Sequence, residues 1–173
     1  GTKAELLLIK KVLESEKHRP IVCNGAKDPK YLKLIRECIK EGYNIAISVE
    51  SVHELRLIVE KFKPEKTNLV LRIKPYLRVE GHWSHSTGRD SKFGLSIHDL
   101  YDVVNLLKQK GFVNSVQTIL AHAGSQIEDI EAFEKFGRLL TKIYCELRDM
   151  GLSKLENIDF GGGLAIDYTS SES

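Results

Sequence analysis

The stretch Asp28-Pro29-Lys30-Tyr31-Leu32-Lys33-Leu34-Ile35-Arg36-Glu37-Cys38-Ile39-Lys40-Glu41-Gly42-Tyr43-Asn44-Ile45-Ala46-Ile47-Ser48-Val49-Glu50 sets the pattern on which the chain is built. Asp28 offers a side-chain oxygen to the unpaired N–H groups of a helix start, and Pro29 follows where no N–H is needed. Tyr31, Leu34, Ile35 and Cys38 recur at the spacing that keeps one helix face apolar, and Gly42 supplies the stop. Ile45–Val49 is then a short apolar run of strand length, closed by the charged Glu50. A helix that feeds directly into a strand is half of a βαβ unit.

The alternation continues in both directions. Thr2-Lys3-Ala4-Glu5 reads as a capping box, in which hydroxyl and carboxylate each satisfy a free N–H, and it opens an apolar helix through about Leu13. Ser51-Val52-His53-Glu54 reads as a second such box, leading Leu55, Ile58, Val59 and Phe62. Ser96-Ile97-His98-Asp99 begins another helix, with Leu100, Val103, Val104 and Leu107 inward and Gly111 past its end. A long helix is expected from about Glu128 to Met150, stopped by Gly151. Between the helices lie Ile21–Cys23, Ile45–Val49, Leu69–Ile73, Val116–Leu120 and Ile158–Phe160, giving the order α-β-α-β-α-β-α-β-α-β. A helix between each pair of strands forces parallel pairing and right-handed crossovers. A doubly wound sheet and an arc of a barrel both satisfy this pattern.

Composition narrows the functional classes. The 173 residues carry 26 Lys+Arg against 24 Asp+Glu, for a formal charge of +2, and the charges are spread along the chain. This gives no footprint for nucleic acid. No apolar run approaches the roughly 18 residues of a membrane span, and no basic-then-apolar leader is visible. Cys23, Cys38 and Cys145 are an odd, widely spaced set, which fits reduced core thiols of a cytoplasmic protein better than a disulfide framework. The chain starts at Gly1 and its only methionine is Met150, as expected of a piece of something larger. Its length also falls well short of the roughly 250 residues of a complete (β/α) barrel.

Ligands of parallel α/β folds bind at the carboxyl ends of the strands. Those ends carry Asn24-Gly25, Glu50, Arg72 with Lys74, His122 through Gln126, and Gly161-Gly162-Gly163; the amino ends show nothing comparable. Successive glycines let backbone N–H groups converge on a small anion such as phosphate, although a tightly turned loop needs them equally. His122 is either a hydrogen-bonded structural group or an imidazole facing a cofactor ring. Ser125 either caps the following helix or donates to a phosphate oxygen. Arg72 sits inside an apolar strand and needs a partner, because a buried unpaired charge is costly. A structural ion pair is the favoured reading, and an anionic cofactor oxygen is the other. The long irregular stretch 75–92, with Gly81, Trp83 and Gly88, has the length of a functional loop. Lys92 reads as a salt-bridged lysine at its end, and His82 and His85 lack the companions of a metal site.

Several stretches together resemble the biosynthetic arginine decarboxylases, of the alanine-racemase-like barrel group that uses pyridoxal 5'-phosphate (PLP). They are Gly1-Thr2-Lys3-Ala4-Glu5-Leu6, Ile21-Val22-Cys23-Asn24-Gly25 with Lys27-Asp28, Ser91-Lys92-Phe93-Gly94-Leu95-Ser96, and His122-Ala123-Gly124-Ser125-Gln126-Ile127. Tyr144-Cys145-Glu146-Leu147-Arg148 and Asp159-Phe160-Gly161-Gly162-Gly163-Leu164, with Asp167-Tyr168, complete the set in family order. The resemblance implies a partial parallel (β/α) barrel, about five strands of an alanine-racemase-like TIM barrel. Residues 1–173 would be an incomplete PLP-binding domain without its first strand, last strand and C-terminal β-domain. The implied activity is removal of the α-carboxylate of L-arginine to give agmatine, a step of polyamine and spermidine biosynthesis.

By matching position, His122 would pack on the pyridoxal ring, Ser125 and Gly161, Gly162 and Gly163 would hold the phosphate, and Arg72 would lie near the ring's phenolate side. Asp159, Asp167 and Tyr168 fall in the family's substrate-binding segment. The Schiff-base lysine lies upstream of anything in this chain, and Lys27, Lys74 and Lys92 occupy other positions. The segment alone is therefore expected to be inactive, and the full-length protein to be a homo-oligomer. Magnesium dependence is implied by the family, with no residue here to mark a metal site. Leu120 stands where the family usually has histidine, and Ala165 where it usually has glycine. The other readings are a catalytically dead homologue that pairs with an active decarboxylase, a decarboxylase of ornithine, lysine or diaminopimelate, and a phosphate-binding barrel enzyme without PLP.

Overall fold

The computed structural model describes residues 1–75, 94–124 and 129–163. Five helices alternate with five strands: α1 (Lys3–Val12), β1 (Ile21–Cys23), α2 (Pro29–Lys40), β2 (Ile45–Val49), α3 (Val52–Lys61), β3 (Asn68–Arg72), α4 (Ile97–Lys110), β4 (Val116–Leu120), α5 (Ile130–Asp149) and β5 (Asn157–Asp159). Single 3-10 turns at Pro64–Lys66 and Val113–Ser115 lead into β3 and β4.

The helix starts follow their side-chain chemistry. The Thr2 hydroxyl accepts from the Glu5 N–H while the Glu5 carboxylate accepts from the Thr2 N–H, completing the first box. The Asp28 carboxylate accepts the Tyr31 N–H at 2.6 Å, with Pro29 behind it. Ser96 and Asp99 form a reciprocal box at the start of α4, which Gly111 ends. Ser51 caps α3 only from one side, because the Glu54 carboxylate turns away to accept the Glu50 N–H at 2.8 Å. The second box is thus half formed, since Glu54 answers a tertiary demand instead of a local one.

Strand order decides between the two architectures left open by the periodicity. The sheet runs β1-β2-β3-β4-β5 in sequence order, every pair parallel. A doubly wound sheet would reverse its order part-way, so this is an arc of a barrel. One face of the arc is dry. Ile45, Ile47, Val49, Leu69, Leu71 and Ile119 all lie against the helices, together with Ile35, Leu55, Ile58, Val103, Val104, Leu107, Phe136 and Leu140. The other face is open: Val22, Ala46, Val70, Thr118 and Asp159 border a cavity of about 430 Å³. Tyr31, Leu32, Ile35 and Cys38 are the buried residues of α2, so Leu32 takes the full burial expected of Leu34. Cys23 and Cys38 are buried and free, but Cys145 is exposed on α5, where Ile143 and Leu147 take the buried positions.

Three boundaries move. β5 begins at Asn157 and ends at Asp159, one residue earlier than its apolar pattern suggests. Asp159 pairs with Leu120 in the ladder and its carbonyl accepts the Ala121 N–H, while Phe160 leaves the strand to meet Phe136 edge to face at 6.0 Å. β3 begins at Asn68, and Ile73 instead bridges to Leu95, where the chain returns alongside it. α5 starts at Ile130 behind an Asp129 cap, and Glu128 is outside the described residues. Among the described residues no helix is long and apolar enough to cross a membrane.

Ile47 is fully buried at the centre of the dry face. Ile47→Ala in the full-length protein is expected to cost about 2–5 kcal/mol through lost burial and a residual cavity. Urea denaturation measures it.

Candidate functional site

The carboxyl ends of all five strands open on one edge of the arc, and their polar residues converge there by register. Arg72, Leu120 and Asp159 lie side by side across β3, β4 and β5. Two residues beyond Leu120 on the same face comes His122, at the mouth of the open side.

His122 is held by glycine. A Cβ on Gly161 would lie 2.0 Å from His122 Nδ1, and one on Gly163 would lie 2.2 Å from the Gly124 carbonyl oxygen. Both residues have positive φ, at 66° and 129°, which side chains rarely adopt. The loops after β4 and β5 therefore pack backbone against ring and backbone against backbone, and only glycine permits it. Around Gly162 there is open space, and its N–H donates to His122 Nδ1 at 3.4 Å. Asp159 Oδ1 accepts the Gly161 N–H at 2.8 Å and braces the turn from below.

The surroundings of the imidazole favour its neutral form. Partial removal from water holds its pKa below the usual value, and the positive charge of Arg72 adds to this, against the opposite pull of Asp159 and Glu50. Nδ1 accepts a hydrogen bond, so the proton of the neutral ring belongs on Nε2.

Behind the ring lies a chain of charges from three loops. Arg72 Nη1 meets Glu50 Oε1 at 3.1 Å, and the same oxygen accepts the Gly25 N–H at 2.7 Å. The Glu50 N–H donates to Glu54 Oε2 at 2.8 Å. Glu54 Oε1 pairs with Lys27 Nζ at 3.2 Å and also accepts the Lys27 backbone N–H. Lys27 Nζ donates in addition to the Gly25 carbonyl at 2.7 Å. The Lys27 side chain is 0% exposed and that of Glu54 8%, so this pair is sealed from water. Backbone bonds clamp the end of β3 from the other side, with Leu95 N–H donating to the Arg72 carbonyl and Lys74 N–H to the Leu95 carbonyl.

Of the residues singled out from sequence, His122, Gly161, Gly162, Gly163, Asp159 and Arg72 are thus brought to one edge. Arg72 has the ion-pair partner its position demanded. Ser125, Asp167 and Tyr168 lie outside the described residues, as do His82, Trp83, His85, Lys92 and Ala165. Sequence reading missed Glu54, taken as a helix cap, and Lys27, noted only as part of a motif. Their partnership spans 27 residues, and no local pattern signals it. Among the described residues no cluster of His, Cys, Asp and Glu is arranged for a metal ion.

The residues fit the ring and phosphate of PLP. The cradle at Gly161–Gly163 excludes any Cβ and leaves room at Gly162 for an anion, beside a neutral imidazole and a guanidinium. They do not supply its amine from Lys27, whose Nζ is shut away on Glu54 and the Gly25 carbonyl.

A barrel arc with a glycine turn packed on a histidine at its carboxyl edge has the form of a domain that holds a small anionic cofactor. The chain belongs to the pyridoxal-dependent decarboxylases: residues 1–173 match the family model of their pyridoxal binding domain. It is 38% identical to the biosynthetic arginine decarboxylase of Citrifermentans bemidjiense, over 100% of this chain and 27% of that protein. The corresponding enzyme of Prochlorococcus marinus is 35% identical over 99% of this chain and 26% of its own length. Among solved structures, the biosynthetic arginine decarboxylase of Campylobacter jejuni superposes with a TM-score of 0.81 at 36% identity, covering 99% of this chain and 28% of that one. A diaminopimelate decarboxylase from M. jannaschi gives 0.70 at 25% identity, covering 96% and 38%. The chain therefore spans about a quarter of the curated relatives it matches.

Gly161→Ala is expected to displace His122 and lower the melting temperature of the full-length protein, whereas Gly162→Ala, with open space around it, leaves it nearly unchanged. The lowered His122 pKa carries a sign. The folded state binds fewer protons than the unfolded one as pH falls below about 6.5, so the stability this ring contributes is present above that pH and declines toward the folded pKa. Melting temperatures from pH 8 to 5 are expected to fall less steeply in His122→Asn than in the parent.

Proposed function

We propose that the chain is the cofactor-holding part of a PLP-dependent decarboxylase that removes the α-carboxylate of L-arginine to give agmatine, in polyamine and spermidine biosynthesis. The convergence of His122, Gly161–Gly163 and Arg72 at one strand edge carries the PLP reading. The identity to arginine decarboxylases across the whole chain, well above that to the diaminopimelate enzyme, supports the choice of arginine.

When bound, PLP would supply an acceptor for the electron pair left as the carboxylate departs. The residues here bind and orient it. The Gly161–Gly163 turn, with Ser125, would hold the phosphate, its Gly161 N–H kept by Asp159. His122, neutral and braced by the turn, would lie against the ring face. Arg72, fixed on Glu50, would favour negative charge on the ring's phenolate oxygen. Asp159, with Asp167 and Tyr168, is assigned to the substrate's side.

The amine that carries the cofactor and the remaining barrel strands are assigned to parts of the full-length protein outside residues 1–173. Residues 1–173 are accordingly read as an incomplete barrel domain, inactive alone, within a cytoplasmic homo-oligomer. Nothing among the described residues supports a magnesium requirement.

The test is carbon dioxide release by the full-length protein with PLP. Arginine is expected to be turned over in preference to ornithine, lysine and diaminopimelate, and release from one of those instead would overturn the substrate assignment. Full-length protein without cofactor absorbance or turnover would overturn the enzyme reading. His122→Ala is expected to weaken PLP binding about tenfold, the scale of one lost stacking contact.

A further inference from the structure

Lys27 and Glu54 touch none of the groups assigned to cofactor or substrate, yet they are the most deeply buried charges among the described residues. Sealing two charges from water is costly, and an apolar pair of similar size often stabilises a fold as well or better. Their geometry points to another use. Glu54 places one oxygen on Lys27 and the other on the Glu50 N–H, so its carboxylate has a single orientation. Glu50 follows β2 directly, and its backbone is thereby pinned where its side chain meets both the Gly25 N–H and Arg72. Lys27 ties the same point to the loop after β1 through the Gly25 carbonyl. The Gly25–Glu50, Lys27–Glu54 and Glu50–Arg72 links each cross from one strand-end loop to the next.

We infer that Glu54, locked by Lys27, is a positioning residue: it sets Glu50, and Glu50 sets the Arg72 guanidinium at the edge where His122 and the glycine turn stand. The inference rests on the PLP reading for what Arg72 serves, but the placement of Arg72 can be read without cofactor. The charged groups that act on His122 are Arg72 from β3, Glu50 after β2 and Asp159 from β5. Arg72 is the largest of these influences, so releasing it moves the His122 midpoint upward toward the ordinary value even if Glu50 is loosened too.

The experiment uses full-length protein as parent, Glu54→Gln, and the double variant Lys27→Met with Glu54→Gln, which removes both buried charges. Three quantities are measured: melting temperature, PLP dissociation constant from cofactor absorbance, and the His122 midpoint by NMR of 13C-labelled histidine, assigned with His122→Asn. Glu54→Gln is expected to lower the melting temperature, weaken PLP about tenfold, as loss of a supporting shell typically does, and raise the His122 midpoint. The double variant is expected to regain melting temperature while keeping both site defects; it is the variant read if Glu54→Gln alone does not fold. Recovery of PLP affinity together with melting temperature would show a merely structural pair and overturn the inference. So would an unmoved His122 midpoint in a folded variant. If the parent binds no PLP, the functional reading falls, and the His122 midpoint still judges the positioning role.

Discussion

Every strand of this sheet runs parallel to its neighbours, and parallel strands can be joined only by a connection that climbs back along the sheet. Each connection here carries a helix, and each strand is added on the same side of the last. All the helices therefore fall on one face, which dries that face and leaves the other concave and open. The same constraint places every loop after a strand at one edge and every loop before a strand at the other. A site assembled from Gly25, Glu50, Arg72, His122 and Gly161 needs that arrangement, since no two of them are closer than 22 residues in sequence.

The edge is a polar structure built on an apolar one. The dry face holds the strands in register by packing, so that side chains on the open face arrive in fixed rows. Charge then organises what packing cannot reach. Glu50 accepts from the Gly25 backbone and from Arg72 with the same oxygen, so one carboxylate joins three strand-end loops. Partial loss of water and the Arg72 charge hold the His122 pKa below its usual value, against the opposite pull of Asp159 and Glu50. Contact of Gly161 with the His122 ring and of Gly163 with the Gly124 backbone closes the mouth between the two loops.

Much of the local structure could be read directly. Thr2 with Glu5, Asp28 with Tyr31, and Ser96 with Asp99 mark helix starts through bonds three residues long. Leu100, Val103, Val104 and Leu107 mark the buried face of α4, for burial repeats with the helical turn. The reading failed where a residue answered a distant partner. Glu54 leaves its own helix cap for Glu50 and Lys27, and Phe160 leaves the strand it was expected to close and meets Phe136. Cys145 looked like a core thiol and lies on the wet side of α5, where a one-position rotation decides burial.

The amino-acid sequence by itself determined the alternation of helix and strand, the placement of glycine and histidine at strand ends, and, by the order of its motifs, the kind of cofactor domain it resembles. These depend on interactions within a few residues or on residue identity alone. Tertiary structure decided that the sheet is a barrel arc, that Gly161 lies against His122, and that Lys27, Glu54, Glu50 and Arg72 form one connected set. Each of those is a contact between segments brought together only by the winding of the sheet, and the winding is settled by the packing of all five helices at once.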